Sequence, residues 1–346
     1  MVNRAAFMTG LNKLEIRDVP MPQIKERQVL VALEYVGICG SDVHYLQNGR
    51  IGDFVVNGDF ILGHEAAGTV AATGEGVGHL KVGDKVALEP GITCGQCEFC
   101  KTGRYNLCPN VEFLATPPYN GCFKNYISYP ENMCFKLPDN ITTREGALVE
   151  PLSVGMHAAR QGGVTLGSSV IILGAGCIGL TALLASKAFG ATDITIADVI
   201  PKRLDKAVEL GATRAINSME ADVIKEMDGI TGGAGADVVI EAAGSVITSR
   251  QTPYLVKRGG TVVLVGMTPQ DKFEYDFSKL LSKEAQIKTV FRYRNIYPQA
   301  IKAIAGGSIN VSGIVTHEYV FDDIQKAFDV NINQKKDVVK VVIKMC

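Results

Sequence analysis

Tryptophan is absent from the chain, and aromatic residues of all kinds make up only 7% of it. Intrinsic tryptophan fluorescence is therefore excluded as a probe of this chain. An excess of one charge is missing too: 35 basic groups stand against 36 acidic ones, for a net charge of -1 and a pI near 6.5. No long-range field draws in nucleic acid or anionic lipid, and no run of Lys or Arg supplies a local one. Neither a nucleic acid nor a membrane is expected as partner, which leaves a small molecule. No long apolar stretch follows Met1-Val2-Asn3-Arg4, so no signal peptide is expected and the cytoplasm is the expected location. The longest uncharged segment, Gln161 to Ser186, has a Gly-rich turn in its middle and reads as a buried strand followed by a helix rather than as a membrane span. Internal repeats and low-complexity tracts are also lacking.

What is present is an ordinary globular composition, 47% hydrophobic and 21% charged, which excludes intrinsic disorder. The 346 residues suffice for about two domains, with roughly three quarters of the unfolded surface buried on folding. Nine Cys form an odd set, seven of them at or before Cys134. Disulfides in a secreted protein favour an even, dispersed set, so metal binding in a reducing compartment is the better reading.

The character of the chain changes twice. Up to about residue 150 it is rich in Gly, Pro and short alternating runs such as Val29 to Leu33 and Thr69 to Ala72, which predicts an irregular β domain. From Ser168 onward apolar strands alternate with helices. The strands are Val170 to Leu173, Ile194 to Ala197, Val238 to Ile240, Val262 to Val265 and Ile287 to Phe291; the helices include Pro201 to Leu210 and Ser245 to Val256. Strands apolar on both faces and separated by helices require a parallel sheet covered on both sides, a doubly wound α/β unit. After Tyr293 the chain turns to helices at Tyr297 to Ala305 and Phe321 to Ile332 and a closing strand at Val338 to Ile343. That tail is too short to fold alone and is expected to rejoin the first domain. The expected division is 1–152 with 293–346 as a discontinuous catalytic domain, and 153–292 as the nucleotide-binding unit.

Gly174-Ala175-Gly176-Cys177-Ile178-Gly179 has the G-x-G-x-x-G form, follows a predicted strand and opens a predicted helix. Its glycines allow a tight turn, close approach to a pyrophosphate and close helix–strand packing, while the helix N-terminus supplies amide donors. The second strand ends at Asp198, 19 residues past Gly179. A carboxylate there accepts hydrogen bonds from the ribose hydroxyls and repels a 2'-phosphate, which selects NAD over NADP. Arg203 runs against this, because a nearby guanidinium could accept that phosphate; a helix-surface role fits it equally. Cys177 at the helix start reads as a small packing residue.

Cys94, Cys97, Cys100 and Cys108 put four thiols within 15 residues of a Gly-containing loop. Four thiolates satisfy Zn tetrahedrally and leave no open position, so a structural zinc is expected. An iron–sulfur cluster uses the same ligands, but nothing else in the chain suggests electron transfer. A second constellation is spread out: Cys39 in Gly37-Ile38-Cys39-Gly40-Ser41-Asp42-Val43-His44, then Gly63-His64-Glu65. Cys39, His64 and a carboxylate would make an open zinc site able to take an alcohol oxygen. Taken singly, Cys39 is more often a small buried hydrophobe and His64 a hydrogen-bonded core imidazole.

Cys39-Gly40-Ser41-Asp42, Gly63-His64-Glu65, the four-Cys loop, Glu150-Pro151 and Gly174 to Gly179 together resemble the zinc-dependent medium-chain dehydrogenases along the whole chain. Within them the chain is similar to sorbitol (L-iditol) and xylitol dehydrogenases through Leu88-Glu89-Pro90-Gly91, Ala115-Thr116-Pro117-Pro118 and Phe291-Arg292-Tyr293-Arg294-Asn295 with Tyr297-Pro298. The resemblance implies a β-rich GroES-like catalytic domain, a Rossmann domain, NAD and two zinc ions per subunit, one catalytic and one structural. It implies catalytic-zinc ligands Cys39, His64 and Glu65, with Glu150 close to the substrate or the water at the metal; either glutamate could be the resting third ligand. It also implies cofactor contacts from Gly174, Gly176, Ile178, Gly179, Asp198, Arg203, Val265, Gly266, Met267, Val290 and Phe291. Substrate contacts are implied for Tyr45, Phe113, Thr116, Glu150, Arg292 and Tyr293, and a homotetramer or dimer for the assembly. Some animal sorbitol dehydrogenases lack the four-Cys loop that is complete here, which leans toward a bacterial-type or xylitol-type relative.

The reaction so implied moves a hydride from the carbon bearing a secondary hydroxyl to the nicotinamide C4. Ser41 can accept the hydroxyl proton and His44 can pass it to solvent; a water held by Glu150 is the rival relay. Arg292 offers a fixed fork of donors suited to several hydroxyls, with a strand-capping Arg as the bland alternative. His79, His157 and His317 are expected in structural roles, and Glu89 in a supporting one. The rival functions are a zinc dehydrogenase acting on a sugar-alcohol phosphate, a butanediol or threonine, and a non-catalytic NAD-binding protein. Binding alone, however, needs no open metal site.

Overall fold

The computed structural model describes residues 2–270 and 272–345. The chain forms two compact units. One comprises the residues up to Glu150 together with Tyr297–Ala305 and the stretch from Val315 onward; the other comprises Pro151–Ile296 and Gly306–Ile314.

The first unit is built on a seven-stranded sheet. Its early strands are β1 (Gln28–Ile38), β2 (Glu65–Thr73), β3 (Lys85–Leu88), β4 (Tyr126–Pro130) and β5 (Cys134–Lys136). The second unit contributes β6 (Ser169–Leu173), β7 (Asp193–Asp198), β8 (Arg214–Asn217), β9 (Ala236–Glu241), β10 (Val256–Leu264) and β11 (Gln286–Thr289). The tail returns β12 (Val315–Val320) and β13 (Lys340–Lys344) to the first unit.

In the first unit the strand order is β5-β3-β2-β1-β13-β12, with β4 also paired to β1. Every pairing is antiparallel except β12 with β13. The register sets Gly37 opposite Glu65 and Ile38 opposite Val341. Residues next to Cys39, Glu65 and Lys340 thus meet across three adjacent strands, although they lie far apart in sequence. A core of Leu33, Val36, Leu62, Phe123, Tyr129, Phe328 and Val341 closes around the sheet. Phe123 meets Phe328 edge to face, with ring centroids 5.8 Å apart, the arrangement that the ring quadrupoles favour.

The second unit is a wholly parallel sheet in the order β8-β7-β6-β9-β10-β11. Its central strands are buried on both faces: Val170, Ile171, Ile172 and Leu173 are each at most 1% exposed, which explains their unbroken apolar run. Strand order reverses between β6 and β9, so the crevice at their carboxyl ends is the topological switch point of a doubly wound fold. One strand escapes the apolar pattern. Arg-Ala-Ile-Asn at β8 is too mixed to announce itself, and it forms because it can add to the exposed side of β7. β11 is shorter than the expected run, and Val290 and Phe291 lie beyond it. The helix Val223–Thr231 is bounded by local chemistry. Asp222 accepts from the amides of Ile224 and Lys225 at its start, and Gly232 takes the left-handed conformation at its end.

Candidate active site and metal centres

The four-Cys loop brings all four sulfurs within 4.8 Å of one another. Cys97 lies 3.5 Å from Cys100, Cys108 lies 3.5 Å from Cys94, and Cys94 lies 4.0 Å from Cys100, measured between sulfurs. Zn–S bonds of about 2.3 Å in a tetrahedron put sulfurs roughly 3.8 Å apart, so the loop matches zinc in spacing as well as in donor type. The amides of Gln96 and Cys97 point at Cys94 and hold its thiol down to about 6, which favours the thiolate that a metal needs.

Cys39, His64 and Glu65 also converge, with one donor atom of each inside a 4.8 Å cluster. Asp42 holds the site's two loops together. It sits at the third position of the helix Gly40–Asn48, is fully buried, and accepts from the Cys39 amide at 3.0 Å through Oδ2 and from the Gly63 amide at 2.9 Å through Oδ1. That second oxygen stands 3.7 Å from His64 Nδ1, too far for a hydrogen bond but close enough to orient the ring. Burial disfavours a charge on His64, yet Asp42 and Cys39 outweigh it and raise the imidazole's pKa well above its ordinary value.

Glu65 is gripped from behind. Lys340 Nζ donates to both carboxylate oxygens, at 2.7 and 2.8 Å, and to the Ile38 carbonyl at 3.0 Å. The two side chains are 3% and 1% exposed. A side chain at position 37 would collide with the Glu65 carboxylate, so only glycine suits that strand position. Sequence reasoning assigned Lys340 no role. The signal available was a single Lys inside the apolar run Val338 to Ile343, which demands a buried partner.

Glu150 is buried in the same unit, at the start of the helix Val149–Gly162. It has a second buried carboxyl for company. Glu89, 4% exposed, accepts from Tyr105 Oη at 2.8 Å, while burial and the charge of Glu150 push its pKa up to about 7 against that hydrogen bond. Tyr105 belongs to the four-Cys loop, so this bond links the loop to the carboxylate pair. Ser41 is half-buried and His44 exposed. Phe113 lies against His64 with ring centroids 5.7 Å apart, Thr116 follows it half-buried, and Tyr45 is buried against Phe60.

In the second unit Gly174 follows β6 and Gly176 caps the helix Cys177–Ala188 that carries Ile178 and Gly179. Asp198 braces this turn: Oδ2 accepts from the Ala175 amide at 2.6 Å and Oδ1 from the Ile200 amide at 2.9 Å. A carboxylate has about four acceptor directions, so lone pairs remain for ribose hydroxyls. Arg203 lies beside Gly176. The amides of Val265 and Gly266 donate to the Glu241 carbonyl, and Val290 donates to Leu264. Met267 and Phe291 are exposed, and the Arg292 guanidinium lies 4.8 Å from the Phe291 ring, with Tyr293 buried beside it in sequence.

The other imidazoles have structural surroundings. His79 pairs with Glu131, His317 contacts Thr316, and burial together with Arg160 and Arg294 pushes His157 down to about 4.

The alcohol dehydrogenase GroES-like domain matches residues 25–139 and the zinc-binding dehydrogenase domain matches residues 177–306. A zinc-type alcohol dehydrogenase-like protein of Escherichia coli, YdjJ, is 49% identical over 100% of this chain and 99% of its own. Sorbitol dehydrogenase of Bos taurus is 44% identical over 99% and 96%. The solved structure of an Escherichia coli oxidoreductase/dehydrogenase of unknown specificity superposes with a TM-score of 0.96 at 47% identity, covering 100% of both chains. The chain belongs to the zinc-dependent medium-chain dehydrogenases. Its cofactors are zinc and a nicotinamide dinucleotide, and it is an alcohol dehydrogenase of this family close to the sorbitol dehydrogenases.

Two consequences are measurable. Lys340→Met leaves the Glu65 carboxylate buried without its partner and should lower stability by about 3–5 kcal/mol, read from the urea midpoint of unfolding. Cys97→Ser should reduce the zinc content of purified protein from about two ions per chain to about one while the other site stays filled, as measured by atomic emission.

Proposed function

We propose that this dehydrogenase uses NAD to oxidise a secondary hydroxyl of a sugar alcohol, of the sorbitol or xylitol type, to a ketose. The observation that carries the reading is the mixed sulfur, nitrogen and oxygen cluster of Cys39, His64 and Glu65. Three protein donors of unlike chemistry leave a fourth position for an alcohol, whereas a purely structural zinc closes all four.

Zinc supplies a Lewis acid that polarises the alcohol oxygen, and NAD supplies the hydride acceptor. The chain's own residues do the rest. Asp42 orients the His64 ring, and Lys340 neutralises and aims Glu65. Glu150 is the alternative carboxylate for the metal and a contact for substrate, and Glu89 beside it limits how much negative charge the pair can hold. Ser41 accepts the substrate's hydroxyl proton and His44, exposed to water, releases it. Arg292, with Tyr45, Phe113, Thr116 and Tyr293, provides the polyol contacts. Asp198 favours the unphosphorylated ribose of NAD; Arg203 works in the other direction.

A homo-oligomer, dimer or tetramer, is part of the reading. β11 is an edge strand, and Phe277 and Leu281 near it are 60% and 81% exposed, apolar surface that a second copy of the chain would cover. None of the eight described Cys is joined in a disulfide, an arrangement that suits the cytoplasm, and no helix among the described residues is long and apolar enough to cross a membrane.

Initial rates of NADH formation test the reading directly. Polyol oxidation should require NAD, fall by at least about tenfold with NADP, and vanish after chelation. If a butanediol, threonine or a sugar-alcohol phosphate reacts and no polyol does, the substrate assignment fails while the family and cofactors stand. No turnover from zinc-loaded protein with any of these alcohols would favour a non-catalytic dinucleotide-binding protein. Arg292→Leu should raise KM for a polyol roughly tenfold or more, as expected for lost charged hydrogen bonds, with a much smaller effect for a simple secondary alcohol. Equal changes for both would remove Arg292 from substrate recognition.

A further inference from the structure

The crevice at the switch point has a third wall that the Gly-rich motif does not explain. Glu241 is the last residue of β9 and is fully buried. Its Oε1 accepts three hydrogen bonds, from the amides of Ala243 at 3.0 Å and Gly244 at 2.9 Å and from the Thr248 hydroxyl at 2.8 Å. Oε2, equally buried, has no hydrogen-bond partner among the described residues.

Those three bonds fold the turn after β9 back onto the end of its own strand. The turn is thereby wedged between the turns that follow β6 and β10. On one side Gly174 faces Ala243, where an added Cβ would stand 2.7 Å from the Ala243 nitrogen. On the other, Gly244, at φ +64, and Gly266 approach backbone to backbone, so that a Cβ on Gly244 would stand 2.6 Å from the Met267 carbonyl and one on Gly266 would stand 2.8 Å from Glu241 Oε2. The main chain of Glu241 serves the same purpose, because its carbonyl accepts from the amides of Val265 and Gly266 at 2.9 and 3.1 Å.

One residue therefore ties together the rim that carries Gly174 to Gly179 and the rim that carries Val265 to Met267. We propose that Glu241 is a positioning residue of the dinucleotide site, one that assembles the three turns of the switch-point crevice before the cofactor arrives. The inference rests on the dinucleotide reading above and adds to it a residue outside the motif. A buried carboxyl with one orphaned oxygen is costly to keep, and burial accordingly raises its pKa despite the donors around it. A purely structural position could be filled at less cost by an apolar side chain. A pre-built crevice spares the cofactor the entropy of ordering three turns, which is the benefit that offsets the expense.

Titration calorimetry of zinc-loaded protein with NADH, together with separate KM values for NAD and for the alcohol, tests the role. Glu241→Ala should weaken NADH binding about tenfold and raise KM for NAD in step, with zinc content and KM for the alcohol unchanged. Glu241→Gln, whose amide oxygen can accept the same three bonds, should restore affinity to within about threefold. Thr248→Val removes a single donor and should weaken NADH by several fold, which decides the matter if the alanine variant does not fold. Unchanged NADH affinity in these variants would overturn the proposal. So would a loss shared equally by cofactor affinity, alcohol KM and zinc content, since that is the mark of general destabilisation. Failure of the unsubstituted protein to bind NADH or NADPH would instead remove the dinucleotide reading itself, and this inference with it.

Discussion

A buried ammonium between two carboxylate oxygens and a carbonyl is the interaction on which the first unit depends. Lys340 reaches Glu65 across 275 positions of sequence and pins the returning strand β13 to the strand that brings Glu65 into the cluster with Cys39 and His64. Such a pair does little for stability when compared with well-packed apolar residues, because two charges must be desolvated. Its value lies in direction. A carboxylate whose oxygens are both fixed presents itself to the cluster in one orientation, and Gly37 opposite leaves the space that this orientation needs.

The surroundings of the cluster follow the same logic. Asp42 spends its two oxygens on the amides of Cys39 and Gly63, so the segments carrying Cys39 and His64 cannot drift apart. Glu89 receives the Tyr105 hydroxyl from the four-Cys loop while sensing Glu150. The four-Cys loop is thus linked through one hydrogen bond to the buried pair of Glu89 and Glu150. Polar groups this deeply buried must find partners, and here the partners they find are the elements whose relative placement matters.

The second unit solves a different problem with backbone rather than charge. Asp198 braces the first turn of the crevice, and Glu241 braces the turn that follows β9. Both are carboxylates at strand ends that collect amide hydrogens. Turns made largely of glycine would otherwise carry high conformational entropy.

Much of this protein was legible from its sequence, for reasons of range. The four Cys lie within 15 residues and the Gly-rich turn within six, so spacing alone restricts their geometry. Strands buried on both faces, such as β6, announce themselves as unbroken apolar runs. β8, whose four residues are mixed, does not, because it exists only by pairing with β7. Cys39, His64 and Glu65 were ambiguous singly, since a buried Cys or His is ordinary. Asp42, Lys340 and Glu241 were visible as residues but had no readable role. By itself the sequence determined the local chemistry: the donor types, the turns and the alternation of strands and helices. Only the tertiary structure decided which distant groups share a site, because the Glu65–Lys340 ion pair and the amides that Asp42 and Asp198 collect from Gly63 and Ala175 are partners that folding, and not sequence proximity, brings within 3 Å.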